Sequence, residues 1–212
     1  MTNTARLLPL AALALLGACA KDQFDETGGV RITRSTCPAV AIPAYTGDVT
    51  LFSPAQSRDL RALDATATLT DVSVACQEGG ETIQATASFT VLARRSSASG
   101  ARQLTLPYFA TVMRGGTRIM SKQVGQVTVD FADGQVRGQA RGQATASIAR
   151  ALAALPAPIQ DKVTRRRKPS DADAAIDPMT DPAVRAAVTD ASFELLIGFQ
   201  LNESQLAYNA TR

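Results

Sequence analysis

The sequence predicts a mainly β protein: an antiparallel β-sandwich, immunoglobulin-like or fibronectin-like, with a short helical insertion before the last strand. The middle of the chain alternates apolar and polar residues with a period of two. Glycine-containing turns divide that stretch into hairpins, and two proline-led helical segments interrupt it between residues 150 and 190, roughly.

Ala65, Leu69, Val72, Val74 and Cys76 share a period of two, but the parity switches between Leu69 and Val72. That predicts a bulge or a sheet-switching bend near Thr70-Asp71. Gln77-Glu78-Gly79-Gly80 then turns the chain into a hairpin. Its second arm is the most regular strand of the sequence, with Ile83, Ala85, Ala87, Phe89, Val91 and Ala93 on one face and Thr82, Gln84, Thr86, Ser88 and Thr90 on the other. Arg94 through Gly100 reads as a loop by composition. A second hairpin joins residues 103–113 to 118–131 through Arg114-Gly115-Gly116-Thr117. Pro107 cannot donate to a ladder, so its strand lies at an edge or is bulged there.

After the turn at Asp133-Gly134, Val136, Gly138, Ala140, Gly142, Ala144, Ala146 and Ile148 alternate with Gln135, Arg137, Gln139, Arg141, Gln143, Thr145 and Ser147. A face of small residues lets a bulky neighbour approach closely. It predicts packing beneath the helical insertion or against large side chains of the facing sheet. Pro156 and Pro158 open a helix expected to run to Lys168, and Asp181-Pro182 is an N-cap followed by proline at the first helical position. Phe193, Leu195, Ile197, Phe199 and Leu201 restore the period of two in a closing strand, and Asn202-Glu-Ser-Gln205 caps a short terminal turn.

The chain contains no histidine, which excludes serine-histidine and cysteine-histidine triads and histidine metal sites. Ser121 and Lys122 are neighbours on a strand and point to opposite faces, so they form no dyad. Asp171, Asp173, Asp177 and Asp181 resemble a calcium loop only in spacing: Ala175 stands where a ligand is needed and Pro182 where the bidentate glutamate belongs. Helix caps and a solvated connector account for them. No catalytic residue, metal or cofactor is expected. A net charge of +3 is too small an excess to indicate nucleic acid.

At the N-terminus, Arg6 precedes an apolar stretch from Leu7 to Leu16, followed by Gly17, Ala18 and Cys19. A membrane-spanning helix needs about 20 apolar residues, and this run is shorter. Leu15-Leu16-Gly17-Ala18-Cys19 resembles the lipobox of bacterial lipoproteins. That resemblance implies cleavage before Cys19 and acylation of its sulfur and new amine. It also implies, from Ala20, sorting to the outer membrane with the body facing the periplasm. Two or three acyl chains anchor a protein durably where one does not. The division expected is a signal peptide over residues 1–18, a flexible tether over 19–29 and one sandwich domain over 30–212 with the insertion at about 150–190. About ten tether residues reach roughly 17 Å. The β-rich body resembles small proteobacterial envelope lipoproteins, a likeness that supplies no functional residues.

With Cys19 assigned to lipid, Cys37 and Cys76 remain as a pair in a disulfide-permissive compartment. A bridge between them is expected; two buried thiols or a metal pair are the alternatives. In the chain-entropy model it contributes about 4 kcal/mol.

Two surfaces are candidates for binding. Arg165-Arg166-Arg167-Lys168 is the densest basic run and could contact anionic lipid or an envelope polymer, or simply complement a helix C-terminus. Arg137, Gln139, Arg141 and Gln143 form a polar row suited to an extended acidic partner, or to solvent. The function expected is that of a membrane-anchored, non-enzymatic envelope protein that binds another envelope protein through a sheet edge or the insertion. The alternatives are a binding module for anionic lipid or polymer, and an unrecognised hydrolase.

Overall fold

The computed structural model describes residues 35–165, 167–168 and 170–211. The expected lipidation site Cys19, the tether and the first residues of the body lie outside the described residues, as does Arg166. The strands among the described residues are β1 (Ala39–Ala41), β2 (Asp48–Phe52), β3 (Leu63–Gly79), β4 (Thr82–Arg95), β5 (Arg102–Arg114), β6 (Arg118–Phe131), β7 (Arg137–Ala149) and β8 (Phe193–Phe199). Between β7 and β8 lie α1 (Arg150–Ala153), α2 (Ala157–Thr164) and α3 (Pro182–Asp190), and α4 (Glu203–Thr211) follows β8.

One sheet has the order β2-β3-β4-β7 and the other β1-β8-β5-β6. Their inward faces share a single core, so the expected sandwich with a helical insertion before its last strand is the observed architecture. Every pairing is antiparallel except that of β1 with β8. The alternation forecast for β4 is fulfilled residue by residue, because Ile83, Ala85, Ala87, Phe89, Val91 and Ala93 are all buried. Leu104, Leu106, Ala110 and Val112 of β5, Val127, Val129 and Phe131 of β6, and Leu195, Ile197 and Phe199 of β8 complete the layer. Fully burying one such side chain contributes about 1.5–3 kcal/mol, which sets the scale of the force joining the sheets.

The parity switch in β3 is a bulge: its register with β4 shifts between Thr70 and Ser73. Asp71 takes a φ of 53° there. Cys37 and Cys76 are bonded, with Cα atoms 5.8 Å apart across a separation of 39 residues. The bridge ties the segment before β1 to the far end of β3, joining strands of opposite sheets.

The glycines of β7 receive neighbouring side chains. A Cβ on Gly142 would stand 2.1 Å from Phe89 Cζ, and one on Gly138 would stand 2.7 Å from Val129 Cγ1. Gly138 therefore accommodates the facing sheet, and Gly142 a ring from its own. Tyr108 stacks edge-on to Phe89 at 4.9 Å and donates its hydroxyl to the Gln143 carbonyl at 2.7 Å.

Pro107 lies in β5, which is an interior strand with an unbroken register to β6 at that point. The expected edge or bulge is therefore absent: the ladder with β8 begins at Tyr108, and the Pro107 carbonyl accepts from Gln200 N at 2.9 Å just past the end of β8. Three details of the sequence reading require correction. The stretch before β3 contains β1 and β2, which are too short to show a clear period. Helix α2 ends at Thr164, not Lys168, because Arg165 turns out of helical geometry with a ψ of 127° while its N–H still bonds the Asp161 carbonyl. Strand β4 continues through Arg95, so the loop begins at Ser96.

Candidate functional site

The described residues of the basic run follow α2, and the guanidinium groups of Arg165 and Arg167 are engaged. Arg165 Nη2 lies 2.5 Å from Asp173 Oδ2, and Arg167 Nε lies 3.4 Å from the same oxygen. Arg167 Nη2 also donates to the Lys162 carbonyl at 2.9 Å, completing one of the last turns of α2. The Arg165 guanidinium holds the Asp173 carboxyl below the usual range. Lys168 is exposed, and its backbone N–H donates to Asp171 at 2.9 Å.

The other aspartates of this stretch are caps. Asp177 accepts from Met179 N at 2.9 Å and Asp181 from Ala183 N at 2.8 Å. The Ala183 N–H, followed by Lys162, lowers the Asp181 pKa.

The polar row of β7 is exposed at Arg137, Gln139, Arg141 and Gln143 alike, and pairing with β4 adds neighbours that the sequence does not place beside it. Arg137 is opposite Arg94, Gln139 opposite Leu92, Arg141 opposite Thr90 and Gln143 opposite Ser88. On the next strand Arg94 pairs with Thr66 and Leu92 with Thr68. Arg137, Gln139, Arg94, Leu92, Thr66 and Thr68 line a shallow concavity of about 530 Å³ on the outer face of the β2-β3-β4-β7 sheet, and Arg141 lies further along β7. Residues directly opposite stand about 4.5–5.5 Å apart at Cα, and like charges so placed repel. Among the described residues, no carboxylate lies within ion-pair distance of Arg94, Arg137 or Arg141.

The second open feature is the edge of the other sheet. Among the described residues, strand β6 pairs only with β5, and its far side has no strand partner. From Arg118 to Val124 it is exposed on both faces. Ile119 is 65 % and Val124 61 % accessible. Ile119 lies opposite Met113 and Val124 opposite Phe109, which places both on one face of the sheet, and Lys122 stands between them opposite Thr111. A lysine within a hydrophobic edge guards against indiscriminate pairing while leaving the edge available. Ser121, opposite Val112, points to the other face.

Composition concealed Arg95, which is only 3 % exposed. Its Nε donates to the Gln135 carbonyl at 2.7 Å, and its Nη2 donates to the Ala98 and Ala132 carbonyls at 2.9 and 3.0 Å. The guanidinium lies over the Phe131 ring, 5.3 Å from its centre. Arg95 therefore binds the loop after β4 to the turn after β6. The available signal was parity, because Arg95 continues the inward series Val91, Ala93. Nearby, Arg102 and Asp64 form a two-pronged pair, both contacts at 2.6 Å, that joins the sheets and lowers the Asp64 pKa.

No family model, curated protein or solved structure matches the chain.

Proposed function

We propose that this is a lipid-anchored envelope protein, held through Cys19 at the outer membrane facing the periplasm, that binds a partner protein by strand addition and catalyses no reaction. The observation that carries this reading is the open half of β6. It offers unpaired backbone groups together with Ile119 and Val124, and an added strand satisfies the first while covering the second. Each of those side chains contributes about 2 kcal/mol when buried against a partner. The Leu15 to Cys19 motif supports the anchor, and the bonded Cys37 and Cys76 suit a compartment where disulfides persist.

Photocrosslinking in native membranes tests the proposal. A crosslinking residue at Val124 is expected to give one discrete heterologous adduct that disappears in an Ile119→Lys background, and the same residue at Thr145 on β7 is expected to give none. Equal labelling from both strands, or adducts only between copies of this chain, would overturn it.

A further inference from the structure

We propose that the outer face of the β2-β3-β4-β7 sheet binds an anionic polysaccharide, with Arg94, Arg137 and Arg141 receiving its acidic groups. This site lies on the sheet opposite the β6 edge and stands independently of the strand-addition reading.

The charges select an anion. Arg94 and Arg137 are held directly opposite each other by the β4-β7 register. Arg141 follows on the same face of β7, about 13–14 Å along the strand from Arg137 at roughly 3.4 Å per residue. None of the three has a carboxylate of the described residues within ion-pair distance. Strands β2 and β3 carry four carboxylates: Asp48 accepts from the Thr68 hydroxyl, Asp64 is held by Arg102, Asp71 sits at the bulge, and Glu78 accepts from the Thr36 hydroxyl. Two guanidinium groups held opposite each other repel, and an anion bridging them relieves that repulsion. Guanidinium groups, with their fixed fork of donors, suit carboxylate or sulfate oxygens.

The neutral groups select the polymer class. Gln139 brings an amide and Thr66 a hydroxyl to the same concavity, and both can donate to and accept from sugar hydroxyls. Leu92, 47 % exposed between them, offers one small apolar contact for a sugar ring. A lipid surface is the poorer match, because Arg94 and Arg137 line a concavity and Leu92 is the only large apolar side chain there. An acidic peptide adding to the β7 edge would take ladder bonds there and leave Arg94, Leu92 and Thr66, which lie on the interior strands β4 and β3, uncovered.

Titration of the full-length protein in dilute non-ionic detergent tests the site with polygalacturonate as the probe and neutral dextran as the control. Polygalacturonate is expected to bind and dextran not. Binding should weaken as ionic strength rises from about 0.1 to 1 M and the screening length falls from about 10 to 3 Å. The combined Arg94→Gln, Arg137→Gln and Arg141→Gln variant should lose roughly tenfold or more in affinity. Arg165→Gln with Lys168→Gln should leave affinity unchanged. If the triple variant fails to fold, Arg141→Gln alone carries the test and is expected to weaken binding measurably. The proposal is overturned if polygalacturonate does not bind, or if the sheet variants bind it as wild type does. It is also overturned if polyglutamate or phosphatidylglycerol vesicles bind through these arginines in its place.

Discussion

Arg165 and Arg167 stand in the densest basic run of the sequence, yet Asp173 and the Lys162 carbonyl engage their guanidinium groups. Arg94 is distant in sequence from Arg137 and Arg141, and strand register gathers the three on one face with no carboxylate of the described residues in ion-pair reach. The contrast teaches that charge density along a chain is a poor guide to charge availability. A cation followed by aspartates in a short connector finds partners locally. A cation on a strand flanked by glutamine, glycine and alanine has none to find. Arg95 marks the extreme case, since it is buried and fully committed to the fold.

The largest effect is therefore expected at Arg95. Arg95→Met should lower the unfolding free energy by about 3 kcal/mol, because it leaves several buried carbonyls without a donor. Urea denaturation reads this directly, and a loss below about 0.5 kcal/mol would show that the plug is dispensable.

The Asp64-Arg102 pair comes next. Its folded-state carboxyl pKa is depressed, so its stabilisation is present above the ordinary aspartate value of about 3.9 and is lost as pH falls through the lower folded value. Both side chains are partly solvated, and the pair should contribute about 1 kcal/mol. Thermal unfolding from neutral pH to below the ordinary aspartate range should show a smaller acid loss for Asp64→Asn than for wild type, and identical acid profiles would remove the pair from the account.

A local effect should follow at the insertion. In Arg167→Gln, amide hydrogen exchange is expected to rise at the end of α2 and in the connector to Asp173, with little change in the global midpoint. Unaltered exchange would mean that the Lys162 carbonyl contact does not hold the helix end.

Much of the fold was legible because it is written in local parity. The bulge of β3 shows as a change of phase at Thr70-Asp71, and the start of α3 as Asp181-Pro182. The β5-β6 turn is visible in its paired glycines. Strands β1 and β2 were not legible, because three and five residues carry too little pattern to be distinguished from loop. Arg95 was misplaced because composition was read ahead of parity. The polar row of β7 was visible as a row, but its partners Arg94, Leu92 and Thr66 come from strands distant in sequence, and only the register brings them together. Whether a charge is paired is likewise a tertiary property.

The smallest expected effect gives the most direct test, because it asks whether a sheet-face arginine has any internal role. Urea unfolding of Arg137→Gln should be compared with wild type at low and high ionic strength. At low salt the variant is expected to be as stable as wild type or more stable, by about 0.3 kcal/mol, since it relieves the repulsion from Arg94. At high salt the difference should vanish. A loss of about 1 kcal/mol or more that persists at high salt would instead show that Arg137 is held by a partner within the fold, and would contradict the account.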